Sequence, residues 1–262
     1  VSIITPTFNS AQTLERTISS VLTQTYDNIE YIIIDGGSTD GTLDIVRKHE
    51  NGISRWVSEP DGGVSDAFNK GIAHSTGDII GILNSDDWYE RDAVAHAVER
   101  LKASGADIAY GMLLTWNEEG PLERVAADHE MLDREMSINH PAVFVLRKAY
   151  ETAGLFRTDF SYAMDYEWLL RAKKAGLKFS PAEKCVVNMQ LKGLSDMHWR
   201  KALEEERRAK NLSDPSIVND IFHIYKVGKG SLRRVLERAG FGFVVRFFHA
   251  NMSSVQKVKA KD

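Results

Sequence analysis

The stretch EYIIIDGGSTDG, residues 30–41, sets an apolar run, Tyr31-Ile32-Ile33-Ile34, directly before Asp35-Gly36-Gly37-Ser38-Thr39-Asp40-Gly41. A short β-branched run closed by glycines and acidic turn residues reads as a strand buried on both faces, which is the habit of parallel sheets covered by helices. Outward from it the same pattern recurs, with strands predicted over 1–5, 54–59, 78–83 and 107–110. Between the first two, Leu14, Ile18, Val21 and Leu22 repeat at helical spacing, with Asn9 or Ser10 as the N-cap. Helices over 43–49, 64–74 and 91–104 complete an alternating α/β subdomain spanning residues 1–110.

Beyond residue 110 the alternation weakens, and a second lobe is expected over 111–200. Residues 116–120 read as a loop or hairpin tip. Helices are predicted over 147–153, ending at Gly154, and over 165–175, ending at Gly176, where glycine suits a left-handed C-terminal cap. From Trp199 the pattern is mostly helical, giving a C-terminal helical segment over 201–262.

Bulk properties narrow the class. With 262 residues, 43% of them hydrophobic and 27% charged, the chain can bury a sizeable core. The single cysteine, Cys185, excludes an internal disulfide and a cysteine-rich zinc site, and fits a reducing, cytoplasmic setting. No run of eighteen apolar residues is present, so neither a span nor a leader is expected, and the opening strand without an initiating Met fits a trimmed chain. A net charge of −4 argues against nucleic acid as a partner. That charge is uneven: residues 215–262 hold nine Lys and Arg against three Asp and Glu.

In an open parallel sheet, ligands bind beyond the carboxyl ends of the strands. Here those ends carry Thr5-Pro6-Thr7-Phe8-Asn9, then Asp35 to Gly41, then Glu59-Pro60-Asp61-Gly62-Gly63-Val64-Ser65-Asp66, then Asn84-Ser85-Asp86-Asp87. Four strand ends thus deliver small polar groups or carboxylates to one rim. Neither G-x-G-x-x-G nor G-x-x-x-x-G-K-[ST] follows the first strand, which excludes the usual dinucleotide and P-loop cradles. With carboxylates in their place, a diphosphate requires an intervening cation, and Asp86 and Asp87 offer the hard oxygens that Mg2+ or Mn2+ prefers.

These motifs, with Ala67-Phe68-Asn69-Lys70-Gly71 after the third and in this order, resemble glycosyltransferase family two. The likeness covers roughly residues 1–200. It implies a GT-A fold: a Rossmann-like, mostly parallel sheet with helices on both faces, an acceptor-side lobe and a C-terminal helical segment. It also implies a metal-dependent, inverting transferase that moves a sugar from a nucleotide-diphosphate donor, UDP foremost, to a hydroxyl acceptor. A lipid-linked glycan in bacterial surface polysaccharide assembly is the acceptor it suggests. By the same resemblance Thr5, Pro6, Phe8, Asn9, Asp35, Ser38, Asp61, Gly62, Asp66 and Asp86 would line the nucleotide-sugar site and Asp87 would hold Mn2+ or Mg2+. Gly36 stands where many relatives carry a second carboxylate.

The likeness continues through His140-Pro141 and Ala163-Met164-Asp165-Tyr166-Glu167-Trp168-Leu169-Leu170-Arg171, where Asp165 matches the general base and Met164 replaces its usual acidic neighbour. A base opposite the leaving group and one cation suffice for in-line displacement, whereas a glycosidase needs two carboxylic groups flanking the bond. Lying near a helix start, Asp165 is expected to stay ionised more easily, because the helix dipole favours negative charge there. His198 is a candidate metal ligand or a surface histidine, and His140 an acceptor contact or a structural one. Trp88 and Trp168 are candidates for sugar stacking or for the core, and Lys70 is read as a helix-end charge. Residues 232–248 mix Arg233, Arg234, Arg238 and Arg246 with Leu236, Phe241, Phe243, Val244, Val245, Phe247 and Phe248, a composition suited to an anionic membrane surface or to packing against the body. A nucleotidyltransferase and a non-catalytic sugar-nucleotide subunit are the competing classes. The first lacks its Gly-rich, basic signature after strand one, and intact Asp87 and Asp165 weigh against the second.

Overall fold

The computed structural model describes residues 1–191, 197–239 and 257–259. The chain opens with β1 (Ser2–Thr7), α1 (Leu14–Leu22), β2 (Glu30–Asp35), α2 (Thr42–Lys48), β3 (Arg55–Ser58), α3 (Val64–His74) and β4 (Ile79–Ile82). It continues through β5 (Trp88–Tyr89), α4 (Ala93–Ser104), β6 (Ile108–Asn117), β7 (Gly120–Val125), β8 (Val143–Leu146), α5 (Arg147–Ala153), α6 (Met164–Lys174) and β9 (Phe179–Gln190). Two helices, α7 (Trp199–Ser213) and α8 (Ile217–Arg238), and a short β10 (Lys257–Lys259) follow.

One sheet runs in the order β10-β7-β6-β8-β4-β1-β2-β3, with β9 beside β6 and β5 on β9. Strands β3, β2, β1 and β4 pair in parallel, and β8 lies antiparallel between β4 and β6. The period of two along a strand explains the layers. Ile32 and Ile34 of β2 face a core shared with α3, α5 and α6, while Tyr31 and Ile33 face a second core shared with α1, α2 and α4. A helix on each face is what the uninterrupted apolar run requires. Gly71 lets α3 lie directly on β1, since a Cβ there would collide with Ile4.

The differences from the sequence reading have local causes. Strand β1 extends to Thr7, two residues past the expected end, because Pro6 and Thr7 still align with Ile34 and Asp35 of β2. Helix α1 starts at Leu14 with no side-chain cap; the Ser10 carbonyl instead accepts the N–H groups of Thr13 and Leu14. The expected boundary at residue 110 falls inside β6, whose first half pairs with β8 and whose second half pairs with β7 across a turn at residues 117–120. Gly154 and Gly176 both take positive φ after their helices, as their helix-ending role requires. Of the stretch 232–248, residues 240–248 lie outside the described residues, as do residues 192–196 ahead of His198. Among the described residues, no helix is long and apolar enough to cross a membrane.

Candidate functional site

The carboxyl ends of β1 to β4 open into a cleft of about 1490 Å³. Pro6, Thr7 and Phe8 come from the end of β1, Gly36 from β2, Asp61 and Gly63 from the turn after β3, and Asn84 to Asp87 from the turn after β4. The opposite wall is built from His140 and Pro141, from residues 161–166 at the start of α6, and from one side of α7 and α8. Phe8 is 62% exposed, an aromatic face left open beside the polar rim. Thr7 is buried there, and its Oγ1 finds no hydrogen-bond partner among the described residues, so a polar atom at the end of β1 awaits one.

Several residues expected on the rim instead build it. Thr5 is fully buried and its hydroxyl bonds the Tyr31 hydroxyl at 3.1 Å, because the extra length of β1 moves the rim two residues on. Asp35 is 1% exposed and spends its carboxylate on its own loop. It accepts the N–H groups of Gly37 and Ser38 at 3.0 Å and the hydroxyls of Ser38 at 2.5 Å and Ser58 at 2.7 Å. Asn9, with φ 49°, donates its N–H to the Ser38 hydroxyl, while its side-chain oxygen accepts from the Thr39 N–H at 2.9 Å. Asn9, Asp35 and Ser38 therefore lock the first two strand ends together.

The turn after β3 divides in the same way. Asp61 lines the cleft, and its carboxylate takes the space beside Gly36: a Cβ on residue 36 would stand 2.8 Å from the Asp61 Oδ2. A carboxylate is thus present where Gly36 lacks one, supplied by the neighbouring strand end. Asp66 turns away, accepting the Gly62 N–H at 3.0 Å and pairing with Lys70 at 3.2 Å, and the Gly62 bond heads the causes that lower its pKa. Lys70 is mid-helix and also pairs with Glu59 at 2.8 Å, so it is not a helix-end charge. Ser65 and Asn69 tie α3 to the loop before α6, through the Phe160 carbonyl and both backbone groups of Phe156.

The turn after β4 holds the most charge in the least water. Asp87 is 2% exposed. Its Oδ1 accepts the Gln190 N–H and its Oδ2 accepts from the Asn84 amide, both at 3.2 Å. Burial, and then the neighbouring Asp86, push its carboxyl well above the usual carboxylate range, and burial raises Asp86 as well. The Arg16 guanidinium, which lies 3.5 Å over the Trp88 ring and donates to the Asp86 carbonyl, offsets only part of this. Two crowded carboxylates short of positive charge form a donor set that fits Mg2+ or Mn2+. Among the described residues no three His, Cys, Asp or Glu gather into a metal cage, as suits a cation that takes its other ligands from substrate phosphates and water. His198 does not join the aspartates; exposed at the start of α7, it lies outside the cleft lining with its ring 5.4 Å from that of Tyr162.

Across the cleft, Asp165 sits at the start of α6 with its Oδ1 accepting the Tyr166 N–H at 2.8 Å. Burial raises its pKa to about 6, with Glu206 and Glu205 adding to the rise. Desolvation thus opposes the charged form that the helix start favours, and at neutral pH the group is still ionised. His140 stacks on Phe68, centroids 4.8 Å apart, and burial lowers its pKa to about 4, so its ring is neutral. Trp168 does not reach the cleft wall. It is packed in the core against Tyr150 and Phe156 and donates its Nε1–H to the Gly154 carbonyl. Trp88 is occupied by Arg16. Sequence reasoning missed Thr7, Arg16, Glu205 and Glu206. Glu204-Glu205-Glu206 reads as a solvated helix face, and nothing local marks it otherwise.

The sequence model of the family described as "Glycosyl transferase family 2" matches residues 2–162, more than half of the chain. The chain belongs to that family. An uncharacterized glycosyltransferase of Mycobacterium tuberculosis is 38% identical over 182 residues, which is 66% of this chain and 68% of the relative. The chondroitin synthase of Pasteurella multocida is 33% identical over 201 residues, 74% of this chain and 21% of the synthase, so the chain spans about a fifth of that protein's length. Among solved structures, S. aureus TarS 1-349 with UDP-GlcNAc superposes with a TM-score of 0.65 at 16% identity, over 90% of this chain and 72% of that one. The mannosyltransferase PcManGT of Pyrobaculum calidifontis, solved with GDP-Man and Mn2+, gives 0.62 at 20% identity, over 79% and 62%. This family 2 chain has the GT-A fold, and sugar transfer is the activity class of its family.

Proposed function

We propose that this glycosyltransferase is an inverting, cation-dependent enzyme that transfers a sugar from a nucleoside diphosphate sugar, UDP first among them, to a hydroxyl of a lipid-linked glycan. The observation that carries the reading is that Asp86 and Asp87 line the same cleft as Asp165. Phe8 and Pro6 offer the base an apolar face, and Thr7 and Asp61 offer it or the ribose polar partners. A divalent cation held by Asp87, with Asp86 beside it, would neutralise charge on the departing diphosphate. Asp165, whose pKa of about 6 leaves it ionised at neutral pH yet basic enough to take a proton, receives the proton of the attacking hydroxyl at its carboxylate. His140, neutral and stacked on Phe68, borders the acceptor side and adds no competing charge.

The acceptor class finds support in α8. Ile217, Ile221, Ile224, Leu232 and Val235 form a stripe along it, each 61–74% exposed, and Tyr225 and Leu232 carry the stripe to the cleft lining. The basic balance of residues 215–262, with Lys229 and Arg233 exposed on α8, complements an anionic bilayer. Docked on that surface, the cleft would open where a lipid-linked acceptor lies. Vesicles of phosphatidylglycerol should sediment the full chain while phosphatidylcholine vesicles do not, and Ile221→Ser with Ile224→Ser should abolish it. A concentration-dependent dimer lost in the same variant, with no vesicle binding, would assign the stripe to a second copy instead. The transfer reading itself is tested by nucleotide release from a UDP-sugar with Mn2+, in the wild type and in Asp165→Asn.

A further inference from the structure

Ser161, Tyr162 and Ala163 present three successive N–H groups just ahead of α6, and Ala163 occupies the capping position with no side chain able to accept a hydrogen bond. The acceptor comes from another helix. Glu205 of α7 takes the Ser161 N–H at 2.9 Å, the Tyr162 N–H at 2.7 Å and the Ala163 N–H at 2.9 Å, across 42 to 44 residues of sequence. Three N–H groups converging on one carboxylate form an anion nest, and hydrogen bonds to a charged acceptor are stronger than neutral ones. The backbone they fix leads within two residues to Asp165.

We propose that Glu205 is a positioning residue for Asp165: by gripping the turn at residues 161–163 it sets the direction in which the Asp165 carboxylate faces the cleft. The inference rests on Asp165 being the base, and it places an essential group of the site in a helix beyond the family-matched segment 2–162. Other groups also face Asp165. Glu206 lines the cleft beside Glu205 and pairs with Lys226 of α8 at 2.6 Å, while the neutral His140 lies ahead of β8 and Tyr166 follows on α6. Glu206 and Glu205 both add negative potential at Asp165, so the grip and the charge can be separated by two substitutions.

In the full chain, Glu205→Gln keeps the length and loses the charge, whereas Glu205→Asp keeps the charge and shortens the reach by one methylene. Carbon-13 NMR of aspartate carboxyls, with Asp165 assigned by its loss in Asp165→Asn, follows the titration; amide hydrogen exchange follows residues 161–163. Glu205→Gln should lower the Asp165 midpoint by half a pH unit or more, roughly the effect of one nearby charge. Glu205→Asp should leave the midpoint near the wild-type value. Both should speed exchange at the three amides about tenfold, as expected when a local opening becomes easier. Both should also lower kcat for nucleotide release from a UDP-sugar with little change in KM. Unchanged midpoints in Glu205→Gln, or unchanged exchange in both variants, would overturn the assignment whatever Asp165 does. Full turnover in Asp165→Asn would instead remove the base while leaving the grip on residues 161–163 standing.

Discussion

The two walls of the cleft are built by different means. On the rim, short turns follow parallel strands, and Asp35, Asn9 and Asp66 bond within their own turn or to the next one: Asp35 to residues 37 and 38, Asn9 to Thr39, Asp66 to Gly62, while Asp87 also takes the distant Gln190 N–H. On the facing wall the bonds are long-range, with Glu205 holding residues 161–163 and Asn69 and Ser65 holding the loop at 156–160. The rim is held by local bonds, and the facing wall by bonds between segments distant in sequence. The residues proposed to hold the donor and its cation lie on the first, and the group proposed to move a proton lies on the second.

Substitutions at Asp165 probe this contrast most strongly. Replacing it with Asn should lower nucleotide release from a UDP-sugar by about a thousandfold, within the range for loss of a general base, while donor affinity in Mn2+ stays within about twofold. A smaller effect appears in stability. The folded pKa near 6 exceeds the unfolded value, so the ionised carboxylate opposes folding above pH 6 and that opposition vanishes below about pH 4. Asp165→Asn should therefore stabilise the chain by roughly 3 kcal/mol at pH 8 and by only about 0.5 kcal/mol at pH 4, read by urea unfolding. The gentlest effect lies in the pH profile: wild-type kcat should fall about tenfold per unit below pH 6 as Asp165 is protonated, and a flat acid limb would detach it from catalysis.

The same contrast sets what could be read from sequence. Alternation around Ile32–Ile34 and the polar strand ends announce a parallel sheet and its rim, because both follow from periods of a few residues. Their detailed roles were less legible. Asp35, Ser38, Asn9 and Asp66 carry the motif but serve the loops, and only the register of β1 on β2 shows that Thr7 rather than Thr5 reaches the cleft. Trp168, three residues after Asp165 in the same motif, is packed inward against Tyr150 and Phe156, contacts that the motif spelling does not display. Glu205 was invisible because its partners are backbone N–H groups, which leave no trace in composition.

A cation linking the Asp86–Asp87 turn to a nucleoside diphosphate is what joins this fold to the proposed transfer. Calorimetry of UDP-, GDP- and TDP-sugars against the wild type and Asp87→Ala, with and without Mn2+, tests it directly. One nucleotide class should bind the wild type at least about tenfold more tightly with Mn2+ than without, and Asp87→Ala should lose that gain, a difference of about 1.4 kcal/mol or more. Equal affinity in all four conditions, or a Mn2+ gain that survives Asp87→Ala, would contradict it.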